Sequence, residues 1–219
     1  MRILFINPNA SAEMTESIAA SARAVLPGAE VLGWTNSDGP PAIQGPADGD
    51  AAVPGLLALL PAAAEAGADV IVIACFDDTG LDLARARAHC PVIGIGQAAY
   101  HMAALMGARF AVLTTLAVSV PVIEGNIRAL GFAGACATVR PSGLGVLEVE
   151  AGSPATMAHL AAELDALDDG NAGAVVLGCA GMSAHLETLQ AGTRLTLVDG
   201  VRAAAGLAAA LVLAAPRAA

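Results

Sequence analysis

The sequence is poor in charged and in aromatic residues. Of its 219 residues, 14% are charged, 3% are aromatic and 56% are apolar. The charges are mostly acidic and give a net charge of −10, whereas nucleic-acid binding needs a basic surface that neutralises phosphates. The composition therefore argues against a nucleic-acid partner. It also predicts that most helices are buried, either inside the subunit or against a second subunit.

The sequence also lacks the features of a membrane protein, an exported protein or a metalloprotein. No run approaches the roughly 20 uninterrupted apolar residues of a membrane span, and a strand begins directly after Met1 without a signal-peptide layout. The cysteines at 75, 90, 136 and 179 form no C-x-x-C pair, and the histidines add no zinc pattern. We therefore expect a cytoplasmic protein with reduced thiols, no metal and no membrane partner.

Short β-branched apolar runs alternate with stretches rich in alanine and leucine. This alternation is typical of βαβ units, in which helices cover a parallel sheet. Strands are predicted at residues 2–7, 29–34, 69–75, 91–95, 109–115, 135–140, 173–179 and 194–198. Helices are predicted at residues 11–26, 50–67, 80–88, 97–107, 118–130, 153–169, 182–191 and 200–214.

The two halves of the sequence resemble each other. Each half begins with an arginine and an apolar strand, continues through helix, strand and helix, and reaches a strand that ends in cysteine. Arg2 and Cys75 are 73 positions apart, and Arg109 and Cys179 are 70 apart. This repeat predicts an α/β fold of two lobes related by a pseudo-twofold axis, each a short, mainly parallel sheet flanked by helices.

The expected lobes are residues 1–97 with 199–219, and residues 98–198. Ligands of parallel α/β sheets bind at the carboxyl ends of the strands. The pseudo-twofold axis would bring those ends together, so the active site is expected in the cleft between the lobes.

Two cysteines occupy corresponding places in the two halves. Cys75 and Cys179 each end a buried strand, so their thiols are predicted to face each other across one small molecule. One thiol would remove a proton while the other donates one. Because an unperturbed cysteine has a pKa of about 8.5, we expect backbone N–H groups at the following helix start to stabilise the thiolate. Cys90 and Cys136 lack this placement and are expected to be inert.

Six short motifs occur in an order that is typical of one enzyme family. They are residues 7–11, 75–80, 91–99, 110–115, 176–182 and 198–201. Together they resemble the hydantoin racemase branch of the aspartate/glutamate racemase superfamily, which also includes allantoin racemases, over nearly the whole chain. The resemblance implies two α/β lobes in pseudo-symmetry, a site between them and no cofactor. It also implies a pair of catalytic cysteines, which here are Cys75 and Cys179.

Several side chains near the strand ends are candidates for substrate contacts. The hydroxyls of Thr114 and Thr115 either hold the enolate oxygen that develops during proton removal or simply end a strand. Asn7, at the position corresponding to Thr114, either binds a ring amide or carbonyl or forms only a turn. The other predicted substrate-binding residues are Ile43, Gln44, Phe76, Asp77, Gly178 and Ala180.

The motif around the first thiol departs from the family pattern. Many members of the branch read C-F-G-D-P-G where residues 75–80 read C-F-D-D-T-G. If Asp77 points into the pocket, its carboxylate disfavours anionic substrates and raises the pKa of the neighbouring thiol. This departure leaves the substrate open without affecting the thiol pair.

The expected activity is cofactor-independent racemisation of a 5-substituted hydantoin or of the related ureide allantoin. Other chemistries on the same scaffold are amino-acid racemisation, cis–trans isomerisation of maleate and decarboxylation of an arylmalonate. A decarboxylase is expected to have only the second thiol, so the presence of both thiols counts against that alternative. The small apolar residues Ala180 and Gly181 after the second thiol suit a neutral ring better than the zwitterion that an amino-acid racemase binds. A non-catalytic small-molecule-binding relative is a further alternative.

Few charges and a mean hydropathy of +0.67 predict a homo-oligomer.

Overall fold

The computed structural model describes residues 1–107 and 109–214. Within these residues the strands are β1 (Arg2–Asn7), β2 (Glu30–Thr35), β3 (Val70–Ile73), β4 (Val92–Gly94), β5 (Phe110–Thr114), β6 (Cys136–Pro141), β7 (Ala174–Gly178) and β8 (Thr196–Asp199). The helices are α1 (Ala12–Val25), α2 (Pro46–Ala58), α3 (Leu60–Glu65), α4 (Leu81–Arg85), α5 (Ile95–Leu105), α6 (Val120–Ala129), α7 (Val146–Ala151), α8 (Pro154–Asp165), α9 (Leu186–Ala191) and α10 (Gly200–Ala214). Two 3₁₀ segments span Ala117–Ser119 and Ala180–His185.

The strands form two parallel four-stranded sheets of the same topology. The first sheet has the order β2-β1-β3-β4, and the second has the order β6-β5-β7-β8. Adding four to each strand number of the first order gives the second, so the repeat seen in the sequence is a repeat of structure. The predicted α/β fold with two mainly parallel sheets is confirmed, and each predicted strand is present.

The inner strands of both sheets are apolar because they are buried on both faces. Every residue of β3, β5 and β7 is buried, because helices cover both faces of each sheet. A strand buried on both faces needs a continuous apolar run, and an alternating pattern would place polar groups in the core. The strands that precede the two thiols are therefore part of the buried core.

The helices α5 and α10 join the two sheets. α5 packs against β4 of the first sheet and against β7 and β8 of the second. α10 packs against β1, β3 and β4 of the first sheet, against β7 and β8 of the second, and against α5. On these contacts we propose the lobe boundaries expected above, 1–97 with 199–219 and 98–198. Residues 215–219 of that division lie outside the described residues.

The helices differ from the prediction mainly at prolines and glycines. The helix expected at 50–67 is divided into α2 and α3, because Pro61 has no N–H to continue the hydrogen-bond ladder. The sequence does not predict the short helix α7. It has six residues and ends at Gly152, whose φ of 57° is left-handed. A segment of this length is too short to show a helical period.

No helix among the described residues combines the length and the apolar character that a membrane crossing requires.

Candidate active site

The two strand-end thiols line the same cavity. Cys75 lies two residues beyond β3, and Cys179 directly follows β7, the equivalent strand of the second sheet. Because each sheet presents the carboxyl ends of its strands to the cavity, the two lobes bring equivalent positions together. The cavity is small, with a volume of about 30 Å³, so the side chains around the two thiols lie close together.

Most of the predicted site residues lie at this cavity. Those that line it are Ile43, Cys75, Phe76, Asp77, Thr114, Thr115, Gly178, Cys179 and Ala180. Five further lining residues were not singled out in the sequence: Asn9, Met14, Ala74, Ser119 and Val146. Asn9 belongs to a motif noted above, whereas Met14, Ser119 and Val146 are brought in by the packing of helices and loops.

Asn7 supports the site without lining it. Its side-chain amide donates to Asn9 Oδ1 at 2.8 Å, to Ser11 O at 3.0 Å and to Thr15 Oγ1 at 3.1 Å. These bonds fix the loop between β1 and α1, so that Asn9, two residues further on, reaches the cavity. The predicted contact of Asn7 with a substrate ring stays a prediction, and Asn9 is the asparagine of this loop that lines the cavity.

Gln44 also lies beside the cavity and not on its wall. Its side-chain oxygen accepts a hydrogen bond of 3.0 Å from the backbone N–H of Val146, at the start of α7. Its own backbone N–H donates to Asp48 Oδ2 at 2.9 Å. Ile43 and Val146 line the cavity from opposite lobes. The hydrogen bond of Gln44 to Val146 links the two segments to which these lining residues belong.

The ends of β5 and β7 approach each other closely. The Thr114 hydroxyl donates to the carbonyl oxygen of Gly178 at 3.1 Å. A Cβ at position 178 would lie 2.8 Å from Leu113 O and 3.0 Å from Thr114 Cβ, so only glycine permits this approach. The glycine therefore sets the position of Cys179, the next residue in the chain.

Burial raises the pKa of the Cys75 thiol well above its ordinary value. The negative charge of Asp77 raises it further, and Cys179 adds a smaller effect in the same direction. The Thr79 hydroxyl, which donates to Cys75 Sγ at 3.4 Å, and the backbone N–H of Asp77 act in the opposite direction. The expected influence of Asp77 on the thiol is confirmed.

The second thiol has a similar environment. Burial raises the pKa of Cys179 to about 12, and the charges of Asp77 and Glu150 contribute to the rise. The backbone N–H groups of Gly181 and Met182 lower it. These donors are the helix-start groups expected from the sequence, but the 3₁₀ segment after Cys179 supplies too few to offset desolvation. The expected stabilisation of the thiolate by backbone donors is present at Cys179, but burial outweighs it and keeps the pKa of both thiols above the ordinary value.

Asp77 is the acidic group of the cavity. Burial raises the pKa of its carboxyl group to about 6, and a hydrogen bond from the Ser119 side chain acts against this rise. Its backbone oxygen accepts a hydrogen bond of 2.9 Å from Asn126 Nδ2, which fixes the turn after Cys75 to α6.

The neighbouring Asp78 has a structural role. Its carboxylate accepts hydrogen bonds from the backbone N–H groups of Gly96 at 2.9 Å and Gln97 at 2.7 Å, at the start of α5. A Cβ at Gly94 would lie 1.9 Å from Asp78 Oδ1, and a Cβ at Gly96 would lie 2.3 Å from Phe76 O. The glycines of this segment therefore permit a carboxylate cap on α5, and the cap holds the turn that carries Cys75 and Asp77.

The sequence matches the family described as Asp/Glu/Hydantoin racemase over residues 3–208, and the chain belongs to this family. A protein named hydantoin racemase from Rhizobium meliloti is 42% identical over 214 residues, which cover 97% of this chain and 89% of that protein. The fold is similar to that of allantoin racemase from Klebsiella pneumoniae, with a TM-score of 0.92, 41% identity, and coverage of 97% of this chain and 88% of that one.

Allantoin racemase from Pseudomonas fluorescens gives a TM-score of 0.90 at 32% identity and covers 100% of this chain and 98% of that one. The resemblance noted in the sequence is thus confirmed, and the chain is an isomerase of the racemase class.

Proposed function

We propose that this enzyme racemises 5-substituted hydantoins or the related ureide allantoin, without a cofactor, through Cys75 and Cys179. The observation that carries the proposal is the pair of thiols at equivalent strand ends, both lining one cavity. The names of the relatives at 42% and 41% identity support the substrate class.

The mechanism needs one thiolate and one thiol. The thiolate removes the hydrogen from C5, and the electron pair of that C–H bond moves into the adjacent carbonyl to form an enolate. The opposite thiol then donates its proton to C5 on the other face, which inverts the centre and exchanges the roles of the two sulfurs. The buried setting keeps water away from the carbanionic intermediate, and we assign the hydrogen bond to the enolate oxygen to the hydroxyl of Thr115, which lines the cavity.

The charge of the cavity disfavours the alternatives that act on carboxylates. Amino acids, maleate and arylmalonates are anions or zwitterions, and their recognition normally uses arginine, lysine or several hydroxyl donors. Among the described residues that line the cavity there is no arginine or histidine, and Asp77 adds a negative charge. A neutral hydantoin ring avoids this repulsion.

The sequence also limits cofactor chemistry. Racemases that use pyridoxal phosphate hold it as a Schiff base on lysine. The 219 residues contain no lysine, so none of them can form this bond. We therefore assign the acid–base chemistry to the thiol pair.

A panel of enantiopure substrates tests the proposal. Polarimetry or circular dichroism would follow 5-methylhydantoin, 5-benzylhydantoin, allantoin, and L-aspartate and L-glutamate as carboxylate controls. We expect loss of optical activity with at least one ureide, above the uncatalysed rate and in the presence of EDTA. Racemisation of the amino acids alone would contradict the proposed function.

The pH dependence of catalysis follows from the two buried thiols and Asp77. For 5-methylhydantoin, we expect kcat/KM to rise without a plateau from pH 6 to 8.5, because the pKa of both thiols lies above this range and the thiolate fraction of the free enzyme grows with pH. Above about pH 6 the charged Asp77 opposes formation of the thiolate. Asp77→Asn removes that charge, so the rise should move to lower pH by about half a unit to one unit.

The matched control for this shift is Asp82→Asn, which removes the same charge from a side chain that is 96% exposed. The control should leave the profile in place. A profile of Asp77→Asn that coincides with the wild type, or lies at higher pH, would show that Asp77 does not control the thiols.

We further propose that the enzyme is a cytoplasmic homo-oligomer. The four cysteines are free thiols in the structure, which suits a reducing compartment. At the ends of α5 and α10 the side chains of Leu105 and Leu213 are 75% and 78% exposed, and such apolar surface favours a subunit contact. Light scattering should give at least twice the subunit mass of 21.5 kDa. A monomer at micromolar concentration would contradict this.

A further inference from the structure

Asp77 occupies the cavity in a way that leaves most of its acceptor capacity unused. The residue lines the cavity together with Ser119, whose hydroxyl is the one side-chain donor that the described residues direct to its carboxyl group. An ionised carboxylate can accept about four hydrogen bonds. Asp77 also lies close enough to Cys75 and Cys179 for its charge to raise the pKa of each thiol. A substrate that reaches both thiols therefore passes beside this carboxylate.

A neighbouring cavity is also acidic. A second cavity lies beside the first, since Ala10 and Leu147 line it and directly follow Asn9 and Val146 of the first. The carboxyl groups at this second cavity are those of Glu13 and Glu150. Glu150 Oε1 is buried without a hydrogen-bond partner, and the negative charge of Glu13 raises the pKa of Glu150 beyond the effect of burial.

No arginine or histidine lines either cavity in the described part of the chain. The acidic charge at the site is therefore not neutralised by a cationic lining residue. A ligand group that carries N–H donors can satisfy the carboxylate, whereas a carboxylate on the ligand would meet like charge in a poorly hydrated space. Hydrogen bonding to the one group and repulsion of the other would each change the relative rates for substrates that differ in their C5 substituent, although neither involves the reacting C5–H bond.

We infer that Asp77 is the specificity-determining residue for the C5 substituent: its carboxylate accepts hydrogen bonds from substituents that end in N–H donors and rejects substituents that end in a carboxylate. The inference rests on the proposed function and names the class of hydantoin that the site prefers. The ureido group of allantoin, which ends in N–H donors, belongs to this class.

An isosteric pair of substrates tests the inference. 5-(2-Carbamoylethyl)hydantoin and 5-(2-carboxyethyl)hydantoin have nearly the same shape, but the first ends in an amide and the second in a carboxylate. We expect the wild type to favour the amide by about 100-fold in kcat/KM, and Asp77→Asn to reduce this ratio by about tenfold or more. The ratio is measured within one variant at one pH, so a general change in thiol reactivity cancels.

Two further variants complete the experiment. Asp82→Asn should leave the ratio unchanged, because it removes an equal charge at an exposed position. Asp77→Ser serves as a second variant if Asp77→Asn fails to fold, and it should reduce the ratio in the same way. An unchanged ratio in the Asp77 variants would overturn the inference, as would an equal loss on both substrates, which would place Asp77 against the ring. If the wild type racemises neither substrate nor allantoin nor 5-methylhydantoin, the proposed function itself fails.

Discussion

Serine at position 75 or at position 179 is expected to reduce racemisation by about a thousandfold or more. A serine hydroxyl is a much weaker acid than a thiol, so it neither forms the base that removes the C5 hydrogen nor donates a proton readily to the enolate. Each variant keeps the size and the neutral charge of the resting side chain. Circular dichroism and thermal unfolding should therefore show a native fold.

The other two cysteines provide the matched controls. Cys90 and Cys136 do not line the cavity in the described part of the chain, and Cys90→Ser and Cys136→Ser should keep most of the activity. An active Cys75→Ser or Cys179→Ser enzyme would end the two-thiol mechanism, because each thiol is needed in both directions of the reaction.

The two single-thiol variants should exchange the C5 hydrogen of opposite enantiomers. Cys75 follows a strand of the first sheet and Cys179 follows the equivalent strand of the second. A pseudo-twofold arrangement of this kind gives each face of the substrate its own thiol. In deuterium oxide, the remaining thiolate should still exchange the hydrogen of the one enantiomer that it can reach. Inversion should fail, because no acid remains on the other face.

Proton NMR at C5 measures this exchange for each enantiomer, with an enzyme-free sample to subtract the spontaneous rate. Opposite preferences of the Cys75→Ser and Cys179→Ser enzymes are the expected result. If both enzymes prefer the same enantiomer, or either inverts the centre at the wild-type rate, one base serves both faces.

The strands and the thiols were predictable because their signals are local. A strand buried on both faces is a continuous apolar run, and the cysteines that follow β3 and β7 stand at a point of the fold where ligands bind. The repeat of the sequence also anticipated the repeat of the sheet order. These features depend on short stretches of chain and on general rules of parallel sheets.

The parts that could not be predicted depend on how distant segments pack. Val146 reaches the cavity through the short helix α7, and Gln44 holds that helix from the other lobe. Neither contact has a periodic or compositional signal. The pKa values of the thiols also depend on packing, since desolvation outweighs the backbone donors that the strand-to-helix position suggests. The position of Asn9 at the cavity wall depends on packing as well, because hydrogen bonds inside the loop hold Asn7 away from the cavity.

The most direct test of two-thiol racemisation follows the wild-type enzyme in deuterium oxide with one enantiomer of 5-methylhydantoin or allantoin. The reaction is stopped at about a tenth of full conversion, the enantiomers are separated, and the deuterium at C5 is measured in each. With two thiols, the proton removed by one sulfur is not the one returned by the other. The inverted product should therefore carry deuterium in nearly every molecule, while the recovered substrate should retain its hydrogen. Equal deuterium in both enantiomers, or product that keeps the original hydrogen, would contradict the mechanism.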